Sequence, residues 1–183
     1  MKISFTGLIL LAVTGCSILP ETQPSASHDF GNPFSAPVIA SPPQTQVTVE
    51  APDWLADTRI RYRLLYASPT KIRFYAFDKW IAPPHELFKE LLAASGKQWP
   101  NAMTVQLQGF EQQFSDPTHA KSLMRFSVSV VPENNQNKLP KTRDFLLQQD
   151  CPTPNAEGAI YAFSNLTHRA IDEIQAWLAA SQH

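Results

Sequence analysis

Apolar and polar residues alternate along two neighbouring stretches of the chain, residues 58–65 and 71–77. A period of two is typical of β-strands, because successive side chains point to opposite faces of a sheet. The turn between the two stretches predicts an antiparallel hairpin, and a shorter alternating run at residues 47–49 predicts a strand before it. The side chains expected to pack inward in the hairpin are Ile60, Tyr62, Leu64, Ile72, Phe74 and Ala76.

The period changes from strand to helix after Trp80. Pro83 and Pro84 suit the start of a helix, because proline lacks only a hydrogen bond that would be absent there anyway. Gly96 supplies the stop. The apolar stripe between them, at helical spacing, comprises Leu87, Phe88, Leu91 and Leu92. This segment therefore predicts an amphipathic helix that folds back over the hairpin.

The second half of the sequence repeats the same order of elements. Alternation predicts strands at residues 103–110, 122–131 and 141–149, and a final helix follows the cap expected at Thr153 and Pro154. The resulting order, β-β-β-α-β-β-β-α, predicts an α/β domain of the α+β kind, in two or three layers. Both helices are expected to pack against a mixed, largely antiparallel sheet.

The first residues, MKISFTGLILLAVTGCS, form an apolar run that is typical of a secretory signal and too short to span a bilayer. The run ends in a sequence that resembles the bacterial lipobox, with cleavage between Gly15 and Cys16. Residues 1–15 are then the signal peptide. Cys16 is the mature N-terminus and carries a covalent diacylglycerol and acyl lipid. The alternative is an ordinary signal peptide with a chance cysteine.

Proline, serine, threonine, alanine and glutamine dominate residues 16–46, which predicts an extended tether of about thirty residues that holds the folded domain clear of the bilayer. The folded domain then covers residues 47–183. An alternative is that residues 30–39 lie across the domain as an ordered arm.

Composition narrows the classes of function. The chain has 183 residues, enough for one domain with a core, and a formal net charge of −1, which gives no general attraction to nucleic acid. With Cys16 acylated, Cys151 has no disulfide partner. The five histidines show no metal-ligand spacing, and no nucleophile or phosphate-binding motif is present. We therefore expect a protein that is not an enzyme and that has no cofactor or metal.

Four segments carry a resemblance to a known family: VEAPDWL at residues 49–55, IRYR at 60–63, YAFDKW at 75–80 with the double proline after it, and VQLQGFE at 105–111. With these segments, residues 47–180 resemble the ABC-type transport auxiliary lipoproteins, the PqiC-like family. The resemblance implies a non-catalytic envelope lipoprotein that works with an MCE-domain protein in transport of lipids or other hydrophobic molecules between membranes. The long tether departs from the compact lead that is common in the family.

Two groups of residues are candidates for binding a partner. Trp80 is an anchor if it is exposed, and a core residue of the strand-to-helix corner if it is not. Arg59, Arg61 and Arg63 share one side of a strand, where they form either a basic stripe for headgroups or an acidic partner, or a solvated or acid-paired sheet face.

The expected location is the periplasmic side of the envelope. The residue after the lipidated cysteine is Ser17 and not the aspartate that retains many lipoproteins in the inner membrane, so we expect the outer membrane. A second hypothesis fits the tether equally well: a lipoprotein that activates or scaffolds a peptidoglycan synthase. The sequence leaves the oligomeric state, including a homo-oligomer, open.

Overall fold

Seven strands and two helices make up the part of the chain that the computed structural model describes, which is residues 24–31, 47–100, 103–131 and 139–180. The strands are β1 (Ala26–His28), β2 (Thr48–Glu50), β3 (Arg59–Leu64), β4 (Ile72–Trp80), β5 (Met103–Phe114), β6 (Ala120–Val130) and β7 (Lys141–Asp150). The helices are α1 (Pro84–Ala94) and α2 (Ala156–Ala180), and a 3-10 turn covers Asp53–Leu55. None of the described helices is both long and apolar enough to cross a bilayer.

All seven strands belong to one mixed sheet in the order β1-β4-β3-β5-β6-β7, with β2 also beside β5. The pairs β3–β4, β5–β6 and β6–β7 are antiparallel, whereas β1–β4, β2–β5 and β3–β5 are parallel. The prediction of an α+β domain with a mixed sheet and two packed helices is confirmed. Strand β1 is the addition that the sequence pattern did not predict.

Both helices pack on the same face of the sheet, which we call the inner face. Phe88 of α1 lies 6.1 Å, between ring centroids, from Phe126 of β6, and Phe163 of α2 stacks on Phe110 of β5 at 4.0 Å. Along β6 the even-numbered side chains from Ala120 to Val128 are buried and the odd-numbered ones are more open. The opposite, outer face carries no helix in the described part of the chain.

A bulge in β5 keeps apolar side chains on the inner face along the whole strand. The register with β6 shifts between Leu107 and Gly109, so Leu107 pairs with Phe126 and Phe110 pairs with Met124. The extra residue reverses the alternation, because side chains of a strand otherwise change face at every step. The inner-face set of β5 is therefore Met103, Val105, Leu107, Phe110, Gln112 and Phe114.

Residues 24–31, which we call the arm, lie against the domain and are not part of a free tether. Strand β1 pairs in parallel with β4, His28 opposite Trp80, and Phe30 is buried in the core. The predicted tether over residues 16–46 is therefore wrong at the arm, because Phe30 supplies apolar surface that the core buries. The alternative of an ordered arm holds for Phe30 and Gly31. Residues 32–39, like Gly15 and Cys16, lie outside the described residues.

The hairpin forms as predicted, but its inward-facing residues differ. Tyr62 pairs with Arg73 and Arg61 pairs with Phe74, so Ile72 and Phe74 share the outer face with Arg61. The prediction that Ile72 and Phe74 pack inward is wrong. The observed pairing differs by one residue from the expected one, and a shift of one residue moves every side chain of a strand to the other face. The cap of α2 also differs: Asn155 Oδ1 accepts the backbone N–H of Gly158 at 2.9 Å.

Candidate functional site

Trp80 belongs to the core, with only 1% of its surface exposed. Its indole meets the rings of Phe30, Phe110 and Phe163 at centroid distances of 5.1, 6.0 and 5.8 Å. Aromatic rings in such edge-on arrangements bury large apolar areas. The prediction of Trp80 as a partner-binding residue is therefore wrong, and its alternative role as a core residue of the strand-to-helix corner is the one observed.

Arg59 and Arg61 share a single carboxylate. Arg59 Nη2 and Arg61 Nη2 each donate to Asp57 Oδ2 at 2.7 Å, and Arg61 Nη2 also donates to the carbonyl oxygen of Trp54. Burial by itself would raise the pKa of Asp57, but the hydrogen bonds from Arg59 and the charges of Arg61 and Arg59 outweigh it and lower the pKa. Arg61 is only 3% exposed, and burial lowers the pKa of its guanidinium.

Arg63 has a carboxylate of its own. Its Nε and Nη2 each donate to Glu111 at 3.0 Å in a bidentate pair, and its Nη1 donates to the carbonyl oxygen of Pro69. The hydrogen bond to Glu111 raises the pKa of Arg63. A free basic stripe through Arg59, Arg61 and Arg63 is therefore not what the structure shows. The acid-paired alternative holds, with the acids on a loop and a strand and not on a helix.

A groove opens beside these arginines on the outer face, with a volume of about 400 Å³. We call it the outer groove. The bulge at Gly109 lies in its floor, opposite Arg125, which in turn faces the exposed Leu146. Arg125 has no partner among the described residues. The groove residues used below are Trp54, Arg61, Arg63, Ile72, Glu111 and Arg125.

Trp54 is the aromatic residue that the sequence interpretation passed over. Its side chain is 56% exposed at the rim of the outer groove, and the Arg61 guanidinium lies 6.0 Å from its ring. Tryptophan and arginine are the residue types most enriched among binding hot spots. The signal was present in the segment VEAPDWL, where the tryptophan stands in a short polar connection and not in an alternating run.

A second cavity, of about 390 Å³, lies where the arm meets the start of α2. The arm is held there by polar contacts, among them one between His168 Nε2 and the carbonyl oxygen of Gly31, which are 3.3 Å apart. His28 Nε2 lies 2.9 Å from Asp78 Oδ1, Ser164 Oγ donates to the carbonyl oxygen of Phe30 at 2.6 Å, and the backbone N–H of Ile81 donates to the carbonyl oxygen of His28 at 2.8 Å. The cavity wall also includes Ile81, Ile160 and Tyr161.

A buried polar cluster surrounds Cys151 at the other end of the sheet. Tyr75 Oη donates to Gln112 Oε1 at 2.6 Å, and Gln112 Nε2 lies 3.3 Å from Cys151 Sγ, which is 3.5 Å from Ser122 Oγ. Burial is the main cause that raises the pKa of Tyr75. The cluster satisfies its own hydrogen bonds and links β4, β5 and β6 to the start of α2. Within the described ranges, no group of three His, Cys, Asp or Glu side chains forms a candidate metal site.

Solved structures that are similar in fold to the chain include two crystal structures. One is the crystal structure of protein XCC0632 from Xanthomonas campestris, of the family DUF330. It has a TM-score of 0.60 and 13% identity over 76% of this chain and 90% of that chain. The other is a crystal structure of an uncharacterised protein, with a TM-score of 0.57 and 12% identity over 85% of this chain and 99% of that chain. No protein-family profile and no curated protein sequence matches the chain. At these identities the likeness shows the fold alone.

Proposed function

We propose that this protein is an envelope lipoprotein, anchored through a lipid on Cys16, that serves as a non-catalytic auxiliary component of an MCE-type transport system. In this proposal its folded domain docks an MCE-domain protein through the outer groove. The transported molecules are lipids or other hydrophobic compounds that move between the inner and outer membranes.

The observation that carries the proposal is the outer face of the sheet, which neither α1 nor α2 covers in the described part of the chain. Apolar side chains at Trp54, Ile72 and Leu146 are exposed there, next to Arg125, which is unpaired within the described ranges. An apolar patch with a polar rim is typical of a protein–protein contact. The carboxylate pairs of Arg61 and Arg63 hold those side chains in place, so a partner meets a largely preorganised surface.

The choice of an MCE-domain partner rests on the resemblance in sequence. The segment YAFDKW, which carries most of that resemblance, forms the end of β4 and contributes Trp80 to the core. The fold similarity to a DUF330 structure, which covers 90% of that chain, is a separate observation and supports the shared fold. The buried polar cluster around Cys151 favours no competing catalytic role, because its donors and acceptors bind one another.

The test is site-specific photocrosslinking in cells that express the full lipoprotein. A photoreactive amino acid replaces Trp54 in one strain and Lys89, an exposed residue of α1 on the inner side, in a matched strain. We expect an MCE-domain protein to be captured from the Trp54 position and not from the Lys89 position. Capture should fall at least tenfold when Arg125→Glu is added, because the substitution reverses the charge beside the groove.

One result would overturn the proposal, and another would remove only its docking surface. Capture of a peptidoglycan synthase from Trp54, without an MCE-domain protein, would support the second hypothesis of a cell-wall activator. Equal capture of an MCE-domain protein from both positions would keep the transport role and remove the outer groove as its docking surface.

A further inference from the structure

The arm fixes where the lipid anchor enters the folded domain. Only eight residue steps separate Cys16 from Pro24, the first described residue of the arm. A chain covers at most about 3.5 Å per residue, so these steps span at most about 28 Å. A tether free through residue 46 would have been more than three times as long.

The arm lies at one end of the sheet. Strand β1 forms one edge of the sheet and β7 forms the opposite edge, five strand spacings away. Neighbouring strands lie about 4.8 Å apart, which puts β7 roughly 24 Å from β1. The edge that holds β1 is therefore kept within about 28 Å of the lipid, whereas the β7 edge can lie up to about 52 Å from it.

Two large apolar side chains project beside the arm at this edge. Ile81 directly follows β4 and is 67% exposed, and Tyr161 lies in the second turn of α2 and is 58% exposed. Both line the cavity at the arm, together with the half-buried Ile160. Exposed apolar side chains that are grouped in this way mark contact surfaces more often than isolated ones do. We call Ile81 and Tyr161 the arm patch.

We infer that the arm patch lies in the interfacial layer of the phospholipid bilayer that holds the Cys16 lipid. Tyrosine is enriched at that layer because its ring is apolar and its hydroxyl stays hydrated. An isoleucine beside it transfers further apolar area out of water. The short tether raises the local concentration of membrane at the patch, so a weak contact suffices. The inference rests on the proposed lipid at Cys16.

The test measures the depth of spin labels on the acylated full chain in vesicles of phosphatidylethanolamine with a minor fraction of phosphatidylglycerol. Cys151→Ser removes the second thiol, and single cysteines are introduced as Ile81→Cys, Tyr161→Cys or Leu146→Cys. Leu146 is the matched control, because it is an exposed apolar residue on the far edge strand. Nitroxides on the three cysteines are compared for collision with molecular oxygen and with a water-soluble nickel complex.

We expect the oxygen-to-nickel collision ratio at positions 81 and 161 to exceed the ratio at position 146 several-fold. Equal ratios at all three positions would overturn the inference. The intact mass of each variant reports whether the lipid is present. With lipid present and an MCE-domain partner captured, equal ratios refute the arm patch alone. High collision ratios at positions 81 and 161, together with no capture of an MCE-domain protein, refute the transport role alone. An unlipidated protein refutes the shared anchor.

Discussion

The ring of Phe30 meets the indole of Trp80 edge-on, with centroids 5.1 Å apart and an interplanar angle of 73°. This contact joins the arm to the end of β4 across fifty residues of sequence. Phe30 also approaches Phe110 at 5.5 Å, so the arm completes an aromatic cluster that the two helices alone leave open.

We expect Phe30→Ala to lower the free energy of unfolding by about 3–5 kcal/mol, the usual cost of truncating a buried phenylalanine. Urea denaturation measures the change. Phe77→Ala is the control, because Phe77 is half exposed and its loss should cost far less. An effect of Phe30→Ala no larger than that of Phe77→Ala would contradict this prediction.

Gly158 lies where α2 begins, against the backbone of Thr153. A Cβ atom on Gly158 would lie 2.0 Å from the carbonyl oxygen of Thr153, a distance that only a shift of the backbone can relieve. We therefore expect Gly158→Ala to destabilise the domain by at least about 2 kcal/mol through overpacking. Gly109→Ala is the matched control, because its Cβ would meet Arg125 at an ordinary 3.5 Å. Thermal unfolding of the two variants distinguishes them.

The Tyr75 hydroxyl donates to a fully buried amide, that of Gln112. Tyr75→Phe leaves the Gln112 oxygen without this donor and should cost about 1–3 kcal/mol of stability. Tyr161→Phe removes an exposed hydroxyl and should cost almost nothing. The comparison is made by chemical denaturation at neutral pH.

Tyr75 also predicts how stability depends on alkaline pH. Burial raises its pKa in the folded state above the ordinary value of about 10. The unfolded chain then loses this proton first, so the contribution of Tyr75 is complete below pH 10 and is lost as the pH rises towards the folded pKa. Denaturation between pH 9 and about pH 11 should show a decline that Tyr75→Phe reduces. A decline of unchanged slope would contradict the assignment.

The pair of Arg63 and Glu111 should contribute measurably to stability, because both side chains are largely buried. Glu111→Gln removes the negative charge of the carboxylate that accepts two hydrogen bonds from Arg63. We expect the free energy of unfolding to fall by about 1–3 kcal/mol. Asp172→Asn is the control, since the pair of Lys97 and Asp172 is exposed and 3.6 Å long, and its loss should change stability by less than about 0.5 kcal/mol. Salt should reduce the effect of Asp172→Asn more than that of Glu111→Gln.

The sequence pattern was sufficient for the fold class and for the type of every described element except β1 and the 3-10 turn. Strands β5, β6 and β7 and helix α1 occur where alternation and the leucine stripe predicted them. Strand β5 continues beyond its predicted end at Phe110, because the bulge at Gly109 reverses the alternation that marks a strand. A strand prediction based on strict alternation of apolar and polar residues therefore ends at the bulge.

The roles of individual residues were harder to predict, because they depend on register. Tyr62 and Phe74 are equally plausible inward residues by composition, and only the pairing of Tyr62 with Arg73 decides between them. The same pairing places Arg61 beside Trp54 and Asp57. Burial of Trp80 depends on Phe30, fifty residues earlier, in a segment whose proline-rich surroundings indicate a tether. Local sequence carries no signal of that contact.

The parallel pairing of β1 with β4 also sets an order of events during synthesis. The arm emerges first, yet its partner strand, which ends at Trp80, follows about fifty residues later. Contacts between residues so far apart form slowly, because a long loop must close before they stabilise anything. Phe30 therefore stays exposed to water until β4 and α2 are both in place. The arm therefore leaves the ribosome before every other described segment and joins the fold only after its partners have formed.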